Sequence, residues 1–271
     1  MAGCGASSGS PGKTSVVAAF YPLAYAGERV GEGKVHVDNL TPPGSEPHDL
    51  ELTPQEVAQI VQADVVLYLS HGFQPAVADA VKQARGTVVD VLAGLRLRKS
   101  SESGVSADPH VWLDPILFSH VVERIGAVLH EPARAAALVA DLHRLDREYR
   151  AGLAHCTRRE IVTSHAAFGY LAQRYGLVQV PITGLAPESE PSPQQLANVV
   201  RLVRRTHATR VFFETLVSPR LADTVAREVG ARTAVLDPIE GLTPAEQKRG
   251  ENYLSIMRSN LAALRRALGC R

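Results

Sequence analysis

The chain has 271 residues, 45% of them hydrophobic and 21% charged, which is enough apolar material for one large core or two smaller ones. Lys+Arg 29 against Asp+Glu 28 leaves a formal charge of +1, so the overall balance offers no phosphate-neutralising surface and argues against a nucleic-acid partner. Aromatics at 5% exclude a stacking platform, Gly 21 and Pro 17 exclude collagen-like or disordered composition, and no apolar run is long enough to span a membrane.

Residues 1–13, with Gly, Ala and Ser around Cys4, read as a flexible tether that carries no fold. Apolar or β-branched runs at 16–20, 35–40, 65–69 and 87–91 predict strands, and helical spacing over 54–63 and 75–85 places helices between them. Such alternation suggests a parallel sheet covered on both faces. Asp114 before Pro115 predicts the cap of a helix reaching about residue 129; Glu131-Pro132 interrupts it, and a longer helix follows over 133–153. A second alternating half has strands at 160–164, 178–183, 210–214 and 233–237, with helices near 168–175, 194–206, 219–229 and 252–268. The expected fold class is α/β, with an N-terminal lobe over 14–131, a linker helix over 132–155 and a C-terminal lobe over 156–271. The Pro-rich stretch 185–193 reads as a surface loop or lid.

Four motifs fall just beyond the carboxyl ends of predicted strands, where open parallel sheets place ligands. They are G-S-E-P-H-D at 44–49, D-P-H-V-W-L-D-P at 108–115, T-S-H-A-A-F-G-Y at 163–170 and L-D-P-I-E-G at 236–241. Together they offer His48, His110, His165 and a carboxylate. Three neutral imidazoles and one carboxylate oxygen suit a tetrahedral dication such as Zn²⁺ and disfavour Ca²⁺ and Mg²⁺. Spacing alone does not bring the three together, and a lone loop His is more often a hydrogen-bonding residue than a ligand.

The four motifs, in this order and spread over nearly the whole chain, resemble those of the zinc-binding solute-binding proteins of bacterial zinc ABC transporters, the ZnuA-like family. D-P-H-x-W-L-D-P is the most specific of them. The resemblance implies two (β/α)₄ lobes with parallel sheets, joined by a long rigid linker helix, with the metal between them. It implies His48, His110 and His165 as imidazole ligands and Asp237 as the carboxylate, or a close substitute for a water. Manganese-binding relatives tend to carry a carboxylate where this chain has His165, so the resemblance implies zinc as cargo; a Mn²⁺ or Fe²⁺ receptor of the same fold is the alternative. Unlike many zinc relatives, the chain has no His in the short stretch 99–106 before the second motif.

Glu214, at the end of a predicted strand, is placed to hydrogen-bond a ligand His or to serve as a structural carboxylate. His71 follows a strand and is either a spare ligand or a solvated turn residue, and Trp112 lies within the second motif, near the site. The remaining six His read as surface or packing residues. Ala2-Gly3-Cys4 resembles the end of a bacterial lipoprotein box, which implies a lipid anchor at Cys4 and an extracytoplasmic location at the cell membrane. In an exported protein Cys156 and Cys270 can join in a disulfide that pins the last helix to the second lobe; two free thiols are the alternative. The expected function is a monomeric receptor that captures Zn²⁺ and delivers it to an ABC permease without covalent chemistry. A zinc hydrolase, with water in the fourth position, is the rival class.

Overall fold

The computed structural model describes residues 12–100, 102, 104–187 and 191–271; Cys4 and most of the expected tether lie outside them. In the first half, β1 (Thr14–Ala18), β2 (Val35–Asn39), β3 (Val65–Tyr68) and β4 (Thr87–Asp90) form a parallel sheet in the order β2-β1-β3-β4. In the second, β5 (Glu160–Thr163), β6 (Val178–Pro181), β7 (Arg210–Phe213) and β8 (Arg232–Val235) form a parallel sheet in the order β6-β5-β7-β8. The two orders are the same pattern displaced by four strands, so one topology is used twice.

The connecting helices begin where the chain supplies caps. In α2 (Pro54–Gln62), Thr53 and Glu56 form a reciprocal capping box. In α4 (Pro115–Val128), the Asp114 carboxylate accepts from the N–H groups of Ile116 and Leu117. Ser192 with Gln195 caps α7 (Pro193–Thr206), and Asn252 with Ser255 caps α10 (Tyr253–Leu268). Shorter helices α3 (Pro75–Ala80) and α6 (Gly169–Tyr175), together with α8 (Arg220–Val229), complete the set anticipated from spacing. Two more helices escape it. In α1 (Tyr21–Gly31) eight of eleven residues are buried, so no polar stripe marks its period. Its Gly31 lies so close to β2 that a Cβ there would come within 2.4 Å of Val35 Cγ1. The other, α9 (Pro244–Lys248), is a single capped turn too short to show periodicity.

Between the halves runs α5 (Pro132–Leu153), 22 residues and about 33 Å long at 1.5 Å per residue. It buries Ala135, Leu138, Leu142, Leu145, Tyr149 and Leu153, a stripe at three- and four-residue spacing. That stripe packs on α1, α4 and α10, and the Tyr149 hydroxyl donates to the Met257 carbonyl at 2.7 Å. The apolar core of the first sheet continues without a break through this stripe and Phe168–Leu171 into the inner face of α10. Among the described residues, only a smaller cluster beneath α7 and α8, around Val162, Val203, Val211 and Val225, stands apart. The halves therefore do not have two separate cores, and their seam is a packed interior.

Cys156 and Cys270 are joined by a disulfide that ties the end of α10 to the entry of β5 across a sequence separation of 114. Replacing both by Ser is expected to lower stability by about 2–4 kcal/mol through the freed unfolded chain. Denaturant titration of the two forms checks it, and coincident midpoints would deny the bond any stabilising part.

Candidate metal centre

Four loops leaving the carboxyl edges of the two sheets meet at the seam: those after β2, β4, β5 and β8. They bring His48, His110, His165 and Glu240 together, one donor atom from each lying within 4.8 Å of all the others. Glu240 Oε1 is 3.1 Å from His110 Nε2 and 3.4 Å from both His48 Nε2 and His165 Nε2. The edge of a tetrahedron with bonds of about 2.05 Å is about 3.3 Å, so these three separations already match a zinc-sized shell. All four side chains are almost wholly shielded from solvent.

Each ring is held from behind. His110 Nδ1 lies 2.8 Å from Asp108 Oδ1, which also accepts the His110 backbone N–H. His165 Nδ1 lies 2.8 Å from Glu214 Oε1, an oxygen that also accepts from the Ser164 hydroxyl. A carboxylate at Nδ1 fixes the proton on that nitrogen and leaves the Nε2 lone pair facing the centre. Among the described residues no such carboxylate backs His48; its ring packs edge-on against Phe73, and its backbone N–H donates to Glu46.

Three Nε2 lone pairs facing one carboxylate oxygen is a repulsive arrangement unless a cation lies between them. Among the described residues, His165 Nε2 and Glu240 Oε2 are buried without a hydrogen-bond partner, which marks the centre as the place where a cation fits. Burial would push the His110 and His165 pKa values down, but Asp108 and Glu240 around one ring, and Glu214 and Glu240 around the other, outweigh it and raise both. Burial does prevail at His48, which is pushed below the ordinary imidazole value. The three imidazoles hold the Glu240 carboxyl well below its usual range despite complete burial.

The carboxylate that lies with the three imidazoles is Glu240; Asp237, which the resemblance implied, lies outside this cluster. Asp237 Oδ1 accepts the Ile239 N–H at 2.7 Å and Oδ2 accepts from the Thr215 hydroxyl, so it closes the turn behind Glu240 and is not among the clustered donors. That turn is strained: Ile239, fully buried, sits at φ +58°, a left-handed conformation that β-branched residues rarely adopt. It is overdetermined by the buried Asn260, whose amide accepts the Asp237 N–H and donates to the Asp237 carbonyl. Trp112 fixes it from the other half, donating Nε1–H to the Pro238 carbonyl at 2.7 Å while its ring packs on His110.

Further bonds cross the seam. Gly44 N–H, on the His48 loop, donates to the Leu242 carbonyl, and the Tyr170 hydroxyl donates to the Asp108 carbonyl and accepts the Arg98 N–H. A Cβ at Gly169 would meet Arg98 Nε at 2.7 Å and Asp108 Oδ2 at 3.0 Å, so a side chain there would push the Arg98 guanidinium aside. His71 does not join the cluster: at φ +67° its Nδ1 lies 2.8 Å from the Ser106 hydroxyl. Glu46 was not singled out in sequence; its Oε1 is 4.0 Å from His48 Nε2, and burial together with the charge of Glu240 pushes its carboxyl up to about 8. Both Glu46 and Asp108 lie two residues before their histidine, and that spacing is the signal that could have found them.

The sequence profile of the family described as ZnuA, zinc-uptake complex component A, periplasmic, matches residues 16–267. The chain belongs to the ZnuA family. It is 37% identical to the high-affinity zinc uptake system protein ZnuA of Bacillus subtilis strain 168, over 94% of this chain and 88% of that one. It is 32% identical to the zinc-binding lipoprotein AdcA of Streptococcus pneumoniae, covering 98% of this chain but only 58% of AdcA. Among solved structures, the Zn(II)-bound ZnuA-like domain of S. pneumoniae AdcA superposes with a TM-score of 0.80 at 35% identity, covering 95% of this chain and 99% of that domain. Another ZnuA-type neighbour is the laminin-binding protein Lmb of Streptococcus agalactiae, described as an adhesin with metal transporting activity: TM-score 0.86, 30% identity, 94% of this chain and 99% of Lmb. These ZnuA-family relatives share the two-sheet α/β fold and are transporter solute-binding proteins.

The carboxylates behind the rings carry a testable role. Glu214→Gln or Asp108→Asn is expected to weaken zinc binding about 10- to 100-fold, the usual cost of losing a carboxylate behind a metal-bound His. Chelator-competition titration measures it, and unchanged affinity would make these contacts structural only.

Proposed function

We propose that the chain is the extracytoplasmic receptor of a zinc ABC transporter, holding Zn²⁺ with His48, His110, His165 and Glu240 and handing it to a membrane permease. The observation that carries this reading is the convergence of three Nε2 atoms on one Glu240 oxygen at 3.1–3.4 Å. In this reading residues 14–131 and 156–271 are two jaws, residues 132–155 join them, and Cys4 carries the lipid. One chain supplies all four donors, so the receptor acts as a monomer.

A nitrogen-rich set with one oxygen favours zinc over the harder manganese ion. Four protein donors leave no open position for an activated water, which separates this site from a hydrolase. Competition titration with Zn²⁺, Mn²⁺ and Fe²⁺ tests the cargo: zinc is expected to bind tightest, and displacement of zinc by equimolar Mn²⁺ would overturn it.

Ligand imidazoles must lose their protons, so binding competes with acid. Because His110 and His165 are raised, protons compete from above the ordinary imidazole value of about 6.5. Zinc affinity is therefore expected to fall steadily from pH 8 to pH 6, by up to about tenfold per pH unit for each proton displaced. A flat profile would mean that the metal is not held by imidazole.

Release occurs by movement of the ligand loops, since a continuous core and α5 tie the halves together. The radius of gyration is expected to stay nearly constant between metal-free and zinc-loaded protein, and a large change would favour a hinge.

A further inference from the structure

The formal charge of +1 hides a strong separation. Residues 14–131 carry 8 Lys+Arg against 15 Asp+Glu, and residues 156–271 carry 16 against 10. Within the second half, Glu214, Asp237, Glu240 and Glu246 are buried, which leaves its surface more basic still.

That positive charge gathers at one pole. In a parallel α/β layer the strands start, and the preceding helices end, at the same edge. For the second sheet this edge includes residues 155–160, 204–210, 227–232 and 265–271, with the start of β6 at Val178 beside them, its N–H bonded to the Arg159 carbonyl. Backbone bonds from Arg158 N–H to the Leu268 carbonyl and from Arg232 N–H to the Thr209 carbonyl stitch these segments into one surface, as does the disulfide. They hold ten arginines, and their only acidic residues are Glu160 and Glu228. Glu228 lies 3.5 Å from Arg204, and Glu160 accepts the Arg159 N–H. The matching edge of the first sheet is balanced, with Lys34 paired to Glu131 and Arg134 to Glu32.

Part of this has a local cause. Arg159 caps α5 by donating to the Leu153 and Ala154 carbonyls, and Arg204, Arg205, Arg265 and Arg266 complement helix C-termini. No such reason covers Arg210 and Arg232. They stand directly beside each other in register at the starts of β7 and β8, where like charges oppose pairing.

We propose that this arginine pole docks on an anionic phospholipid surface. The proposal rests on the receptor reading, in which the chain works beside a membrane. The pole's four segments hold no Phe, Tyr or Trp to stack on bases and their Leu and Val residues are not exposed; the exposed Val178 at the adjoining start of β6 is too small an apolar group to anchor in a bilayer, so contact is electrostatic. It lies a full α5 length from the start of β1, so a receptor held at both ends rests with its long axis along the membrane.

The test is co-sedimentation of the full chain with vesicles of phosphatidylcholine alone or with about 30 mol% phosphatidylglycerol. Binding to the anionic vesicles only, and release by about 0.5 M NaCl, is the expected result. A variant carrying Arg205→Glu, Arg227→Glu, Arg232→Glu and Arg265→Glu, all at exposed positions, should lose more than about tenfold in vesicle affinity at unchanged zinc affinity. Equal binding by the variant or equal partition onto phosphatidylcholine would overturn the proposal. So would capture by duplex DNA in place of vesicles, or lipid-independent self-association that the same substitutions abolish. Loss of zinc binding in the unaltered chain would instead strike the receptor reading.

Discussion

Glu240→Ala is expected to weaken zinc binding by about 100- to 1000-fold, while Asp237→Asn costs less than about tenfold. The larger figure, about 4 kcal/mol, is roughly one quarter to two fifths of the about 10–16 kcal/mol that a four-donor structural zinc site supplies. Water can occupy the missing oxygen position, which favours the lower end of that range. Asn at 237 keeps an oxygen for the Ile239 N–H, so the turn that presents Glu240 survives. The two carboxylates stand three residues apart in one loop, and only one faces the imidazoles. Titration of both variants against a chelator of known affinity separates them; a greater loss at Asp237 would return the ligand role to that residue.

Replacing His110 or His165 by Ala should cost at least as much, about 1000-fold for each, because the imidazole lost is both a donor and the lid on a buried carboxylate. His110→Ala leaves Asp108 without its ring partner, and His165→Ala does the same to Glu214. His143→Ala, on α5 and outside the cluster, is the control and is expected to change affinity by less than about twofold, as substitutions away from such features do. Equal losses in all three variants would mean that binding follows general stability and not this centre.

Much of this organisation is legible in sequence, and the exceptions have physical reasons. The strands declare themselves because each is a short β-branched run between turn residues, and α5 because its buried face repeats every three or four positions. The three histidine motifs stand out since each follows a strand, the place from which a parallel sheet can aim a side chain at a ligand. The carboxylate was harder to read. In D-P-I-E both acids lie within reach, and only the Asx-type bond from Ile239 N–H to Asp237, with Ile239 forced to positive φ, decides that Glu240 faces inward. Helix α1 left no pattern because it is buried on nearly every side. The arginine pole was invisible to a net charge of +1, since the segments that form it are scattered over more than a hundred residues and meet only through the topology of the second sheet.

Crystals of zinc-loaded protein, measured on both sides of the zinc absorption edge, put the metal centre to the most direct trial. A single anomalous peak at the seam is expected, about 2.0–2.2 Å from His48 Nε2, His110 Nε2, His165 Nε2 and one Glu240 oxygen. Zinc bound elsewhere, or held there with Glu240 turned away and an open water in its place, would contradict a closed carrier site.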